Sequence, residues 1–283
     1  MNIWSAWLQG RKNAPKHVQS IFDLWETLNP SSTFTVLENE EVDAILREMG
    51  VITWRMTPQV KTDIARTYLL AKHGGAWVDS TLLPTQPLER WLVPQLRRQG
   101  FFAFRSTGRP ELILQNWFLY ADKDNPLVTS WLEFYCDYWH VKRFAPNSKR
   151  ILLSRHALDF FKFVYAEKER DSLYFVDPKR GRSCRMYSYA IHNFTLAYLL
   201  KTDDKLAEQW SGVPTLFHVQ PSLIGHCAGD PETPDDTLLR LSLSLLPRSP
   251  VHKLNHHDAR FATLIDHAKS EGLIETGDGC LLS

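Results

Sequence analysis

Short apolar runs alternate with amphipathic helical segments through the first third of this chain, and that alternation admits few folds. Ile3–Leu8 reads as a strand. Pro15 then sits where a helix begins, and Val18, Ile21, Phe22, Trp25 and Leu28 recur at helical spacing until Asn29-Pro30-Ser31-Ser32 stops them. Phe34–Leu37 reads as a second strand. Asn39 suits an N-cap, with Glu40 and Glu41 in the first turn, Val42, Ile45, Leu46 and Met49 on one face, and Gly50 as the stop. Another helix spans Pro58–His73 and ends at Gly74-Gly75; Ala76–Asp79 follows as a short apolar strand, and Phe101–Arg105 is a further one. Strands alternating with helices predict a parallel α/β sheet. Ligands bind such sheets beyond the C-terminal ends of the strands, the edge to which Ile3–Leu8 and Ala76–Asp79 would both deliver their last residues.

The second half is more helical. Asn125-Pro126 caps a helix carrying Leu127, Val128, Trp131, Leu132, Tyr135 and Trp139. Ser154 caps another with Phe160, Phe161, Phe163 and Val164, and Tyr189–Leu200 and Asp258–Ala268 read as two more. Thr215–Val219 reads as a strand and Asp230–Asp236 as a polar, Pro-broken loop. No linker or repeat separates these parts, so one domain with a helical elaboration is expected. The aromatic series Trp131, Tyr135, Tyr138 and Trp139 follows helical spacing and reads as core, whereas Trp117 could line a cleft or pack beneath it.

Composition removes several classes. A chain that is 43% hydrophobic is not disordered. With 33 basic against 32 acidic residues the net charge is +1, so nucleic acid is not an expected partner and any polyanion must meet a local patch. Lys179–Arg185 puts four cations in seven residues, read as a solvated loop or as a grip on an anionic acceptor. No apolar stretch approaches the ~20 residues of a membrane span, and Leu238–Leu246 is broken by Arg240, Ser242 and Ser244. The N-terminus shows no basic start before an apolar run, so no signal peptide is read. Cys136, Cys184, Cys227 and Cys280 are scattered, as reduced thiols of a cytoplasmic protein would be, and His218, His226 and His256-His257 lack metal-site spacing.

The window KTDIARTYLLAKHGGAWVDSTLLPTQPL carries the chemistry. Asp63 and Arg66 are three apart on a helix and share a face. Two glycines let the chain turn sharply into a strand that ends at Asp79, beside Ser80 and Thr81. Each piece alone has a structural reading: a surface ion pair, a helix stop, a strand-end Asp bonding its own turn. Together they place a carboxylate–guanidinium pair and a second carboxylate at one strand edge.

This window resembles the DXD-containing sugar transferases of glycosyltransferase family 32, most closely their bacterial capsular polysaccharide synthesis branch. The residues that carry the likeness are Thr62-Asp63, Arg66, Gly74-Gly75, Trp77, Asp79, Thr81 and Pro87-Leu88. The opening IWSAWLQG, Asn116-Trp117-Phe118, Asn125-Pro126 and His252-Lys253-Leu254 add to it. The likeness covers residues 1–139, returns near 252 and is thin between.

The resemblance implies a GT-A-type, Rossmann-like nucleotide-sugar-binding α/β fold with a mostly helical second half. Residues 1–110 would bind the donor, 111–250 would form a helical acceptor side, and 251–283 would return to the donor site. It implies a cytoplasmic retaining transferase, at the inner face of the membrane or free of it. That enzyme would move a sugar from a UDP-linked donor to a bacterial surface glycan or lipid-linked glycan by front-face attack. Asp79, Arg66 and Lys253 would be catalytic, and Trp7, Asp63, Arg66 and Asp79 would hold the donor, with Trp7 stacked on the base. A divalent metal, Mn²⁺ or Mg²⁺, would be held by Asp79, Thr81 and His252. Thr81 stands where the second Asp of DXD belongs, and a hydroxyl is a poorer ligand for a hard cation than a carboxylate. Two rival readings stay open: a toxin- or effector-like transferase acting on protein, and a non-catalytic nucleotide- or glycan-binding scaffold.

Overall fold

The computed structural model describes residues 1–54, 56–96, 99–144, 157–168, 171–229 and 233–274. In chain order the strands and helices are β1 (Asn2–Ala6), α1 (Lys16–Leu28), β2 (Thr33–Leu37), α2 (Asn39–Glu48), α3 (Pro58–His73), β3 (Gly75–Val78), β4 (Leu82–Pro84) and α4 (Leu88–Trp91). Then follow β5 (Phe101–Arg105), β6 (Leu114–Ala121), α5 (Pro126–Tyr138), α6 (Ala157–Lys168), α7 (Ile191–Thr202), α8 (Asp204–Ser211) and α9 (Val219–Cys227). The last are α10 (Asp235–Leu245), β7 (Val251–Lys253) and α11 (Arg260–Ser270). The cap proposed at Ser154, residues 230–232 of the proposed 230–236 loop, and Cys280 lie outside the described residues.

The central sheet has the order β2-β1-β3-β6-β5. β2, β1 and β3 run parallel, and β6 pairs antiparallel with both β3 and β5. This is the expected α/β class with a parallel-rich sheet: β5 runs in the same direction as β1, β2 and β3, and β6 alone runs against them. Side chains alternate across the sheet as the pleat requires. Trp77, Phe101, Ala103 and Leu119 enter a core shared with α2, α3, α5 and α7. Ile3, Ala76, Val78, Phe102 and Phe118 enter the opposite core, shared with α1, α9, α10 and α11. A sheet covered on both faces explains why its strands read as near-continuous apolar runs. Trp131, Tyr135, Tyr138 and Trp139 are all core. No described helix is long and apolar enough to cross a membrane.

α3 is the helix that positions the site. Thr57 caps it by accepting from the Val60 N–H, and Pro58 fills the first turn, where a missing N–H costs nothing. Its residues from Asp63 through Ala71 are all buried. It ends where Gly74 (φ 66°) and Gly75 (φ 101°) reverse the chain into β3. A Cβ at Gly75 would stand 2.2 Å from the Asn2 carbonyl, so only glycine lets β3 approach β1.

Several expectations are corrected. α2 is capped by Glu38 rather than Asn39: the Glu41 carboxylate reaches back to accept the Glu38 N–H at 2.7 Å. β1 stops at Ala6 rather than Leu8. Thr215–Val219 makes only an isolated bridge, Arg105 with Phe217, and Val219 already begins α9. α10 occupies Asp235–Leu245, taking in the end of the segment read as a loop. The basic stretch, by contrast, keeps its reading as a solvated loop: Lys179 and Arg180 are exposed, and Arg180 pairs at the surface with Asp171 and Asp177 and Arg182 with Asp137.

Candidate active site

At the C-terminal ends of β1 and β3 a cleft of about 450 Å³ opens between α3, β6 and the loop before α7. Ala6, Asp63, Arg66, Asp79, Trp117 and Lys253 are among the residues that line it.

Asp79 follows the last residue of β3. Its N–H donates to the Trp117 carbonyl of β6 at 2.9 Å, and its own carbonyl accepts from Leu82 N–H at 2.9 Å, turning the chain into β4. Its Oδ1 accepts from Trp77 Nε1 at 3.1 Å and faces Arg66 Nη2 at 3.5 Å. Its Oδ2 accepts from Lys253 Nζ at 2.8 Å, and the same ammonium donates to Thr81 Oγ1 at 2.7 Å. Lys253 is carried there by a second small sheet in which β7 pairs antiparallel with β4, Leu82 opposite Lys253. The three-residue likeness at the C-terminus therefore lands beside the main motif because β4 recruits β7 directly.

Arg66 is three residues along α3 from Asp63, with Nη2 3.3 Å from Asp63 Oδ1. Its Nη1 donates to the Asn116 carbonyl, and its guanidinium lies 5.0 Å from the Trp77 ring centroid, in cation–π range. One cation is thus fixed by two carboxylates, a carbonyl and an aromatic face.

The two carboxylates are pushed in opposite directions. Burial acts to raise Asp79, but Lys253 and Arg66 outweigh it and hold the group at about 2. Asp63, 7% exposed, has only Arg66 to oppose its burial and is pushed up to about 7, with the Asp79 charge adding to the rise. His192 of α7 lies behind it, fully buried and stacked on Trp131 with centroids 4.0 Å apart. Its Nδ1 is 3.8 Å from Asp63 Oδ1, yet burial and the nearby Arg66 keep the imidazole neutral, so the contact is not an ion pair. Thr67 gives its proton to the Asp63 carbonyl at 2.7 Å and therefore accepts from His192 Nε2–H at 2.8 Å. The imidazole then turns an unpartnered Nδ1 lone pair toward Asp63.

The structure therefore brings Asp63, Arg66, Asp79, Thr81 and Lys253 together. Trp7 lies just beyond β1, outside the cleft lining, with its indole edge against His256 at 5.9 Å. His252 is a correction. It alternates with Lys253 along β7, so its ring points to the opposite side, fully buried and bonded through Nε2 to the Leu246 carbonyl at 3.0 Å. It cannot reach a metal at Asp79. The donor set proposed for a divalent ion does not fit: Thr81 Oγ1 and Asp79 Oδ2 already share the Lys253 ammonium. Among the described residues no group of three His, Cys, Asp or Glu side chains could hold one. His192 was not foreseen. Its only sequence signal is its place inside a predicted apolar helix. Trp117 lines the cleft and is also core, which resolves its two readings into both.

Residues 1–148 match the sequence profile of a family described as capsular polysaccharide synthesis protein. HOC1 of Saccharomyces cerevisiae, a candidate glycosyltransferase by name, is 28% identical over 102 residues, covering 33% of this chain and 25% of HOC1. The chain thus spans about a quarter of the length of that curated relative. Among solved structures, the PaToxG glycosyltransferase aligns over 75% of this chain and 74% of its own, with a TM-score of 0.39 and 14% identity. The family match runs from the opening strand past α5, through every cleft carboxylate and over just over half of the 283 residues, so this chain belongs to the capsular polysaccharide synthesis protein family.

Proposed function

We propose that this chain is a glycosyltransferase that moves a sugar from a nucleoside-diphosphate donor, UDP-linked, to a bacterial surface or capsular polysaccharide, with retained anomeric configuration. The observation that carries the reading is the convergence of Lys253 and Arg66 on Asp79 at the C-terminal edge of the parallel strands. Two fixed cations at one end of a cleft suit a diphosphate, and a buried carboxylate beside a guanidinium suits the hydroxyls of a sugar. Family membership supports the polysaccharide acceptor, and the likeness to HOC1 supports glycosyl transfer.

In this reading the bond between the anomeric carbon and the diphosphate oxygen breaks as the acceptor hydroxyl oxygen bonds to that carbon on the same face. The electron pair leaves on the diphosphate, and the acceptor's proton passes to the departing phosphate oxygen. The charge that develops there meets Lys253 and Arg66, both held in place before the donor arrives. Such preorganisation avoids reorienting the environment during the reaction. Asp79 holds the two cations. Asp63, ionised, accepts from a donor-sugar hydroxyl at the base of the cleft. The base extends past His256 to stack on Trp7.

The test is a panel of nucleotide sugars incubated with purified protein, read as released nucleoside diphosphate. Release from a UDP-sugar above the uncatalysed background, increased by a capsular glycan acceptor, is the expected result. A folded protein that releases nothing from any donor contradicts the reading.

A further inference from the structure

We infer that the Lys253 ammonium is the resident cation of this site and that the donor diphosphate is bound without a divalent metal. The inference rests on the donor-site reading above and deepens it.

Four observations converge. First, the ammonium sits between the two positions of the DXD-like pair, 2.8 Å from Asp79 Oδ2 and 2.7 Å from Thr81 Oγ1. A metal ligated by those atoms would occupy the volume Nζ already fills. Second, the other Asp79 oxygen is engaged as well, accepting from Trp77 Nε1 and facing Arg66. A divalent ion of the Mg²⁺ type needs near-octahedral oxygen ligands. The remaining carboxylate, Asp63, lies on the far side of Arg66, and His252 faces away. Third, Lys253 is built in rather than draped. Leu254 N–H donates to the Thr81 carbonyl at 2.9 Å, and β7 is clamped against α9 at Gly225, where a Cβ would stand 2.4 Å from the Lys253 carbonyl. Fourth, Lys253 lines the cleft with its side chain 27% exposed. An ammonium has three N–H donors, and Asp79 and Thr81 take two. The third is left for a phosphate oxygen.

The substitution of Thr for the second acidic residue thus has a physical counterpart. Where a carboxylate pair calls for a metal, one carboxylate and one hydroxyl are matched by a single positive charge. Asp79 offsets Lys253 and ionised Asp63 offsets Arg66, so the site is near neutral before the diphosphate arrives. Restoring the second carboxylate while deleting the ammonium should convert the site to a metal-requiring one.

The experiment is calorimetric titration of UDP into EDTA-stripped protein, repeated with millimolar Mn²⁺. Wild type is expected to bind UDP in EDTA and to change affinity within about threefold on adding Mn²⁺, under a tenfold step of ~1.4 kcal/mol. Lys253→Ala, with Lys253→Met as the variant that keeps the packed stem, should weaken binding in EDTA by about tenfold or more, the worth of a charge-assisted hydrogen bond. The double variant Lys253→Met with Thr81→Asp should recover UDP binding only when Mn²⁺ is present. Wild-type binding that is lost in EDTA and restored by Mn²⁺ overturns the inference while leaving a nucleotide-binding site in place. Full affinity of a folded Lys253→Met in EDTA also overturns it. A wild type that binds neither UDP nor any other nucleoside diphosphate in either condition overturns the donor-site reading, and the inference with it.

Discussion

Asp63→Asn should stabilise the protein while impairing its function. Asp63 sits at the base of the cleft, 7% exposed, with its carboxyl pushed up to about 7 chiefly by burial. In the unfolded chain the same group titrates near its ordinary value, ~3.9. A raised folded value means that stability is fully present below the unfolded pKa and lost as pH climbs through the folded one. Carrying the buried charge at pH 8 therefore costs roughly 4 kcal/mol. Integrated between the two titrations, more than half of that cost accrues from pH 5 to pH 8. Asparagine keeps the shape, carries no charge to desolvate, and can donate an N–H to the unpartnered Nδ1 of His192. Urea denaturation of wild type and Asp63→Asn at pH 5 and pH 8 isolates the effect, since every other titrating group is common to both proteins. The variant's advantage should grow by about 2–3 kcal/mol over that interval, and its donor turnover should fall. An advantage that does not change with pH, or a variant less stable than wild type at pH 8, refutes the account of Asp63.

The same carboxyl predicts a pH profile: donor kcat/KM should rise as pH passes through about 7, where Asp63 ionises, and that limb should vanish in Asp63→Asn. Trp7→Ala should weaken UDP binding by ~1–3 kcal/mol if the ring stacks on the base, and unchanged affinity by calorimetry would leave Trp7 as packing for α1 and His256. Gly225→Val should cost ~1–3 kcal/mol of stability in a thermal or urea melt. It should also lower UDP affinity without touching the nucleotide, because its side chain must displace the Lys253 backbone. Wild-type affinity in that variant would show that β7 is not held at this point.

What the sequence revealed was mostly local. α3 was legible from end to end because Pro58 and the Gly74-Gly75 turn each act within a few residues, and β5 because its apolar run is bounded by Gly100 and Ser106. Thr33–Leu37 and α5 were legible for similar reasons. Pairings across the chain were not. β4 and β7 are three residues each and exist only because Leu82–Pro84 meets Val251–Lys253, a contact no local pattern encodes. In β6 polar Gln115 and Asn116 follow Leu114 and conceal the strand, yet those positions line the cleft and Asn116 lends its carbonyl to Arg66. In the site, Asp63, Arg66 and Asp79 announced themselves through spacing within one window. Lys253 came only from a resemblance, and His252 beside it was misread because strand alternation sends neighbouring side chains to opposite sides. His192 had only its place in an apolar helix as a signal, and a buried histidine there looks like packing until Thr67 and Asp63 are seen around it.

The central claim is that Lys253 and Arg66, held by Asp79, receive the charge of a departing diphosphate. Its most direct measurement is UDP release from the preferred UDP-sugar by wild type, Asp79→Asn and Lys253→Ala, each shown to be folded by circular dichroism. Both variants should lose about 10²–10³ in kcat, or roughly 2.7–4 kcal/mol of transition-state stabilisation. Folded variants that both keep wild-type turnover would contradict the claim.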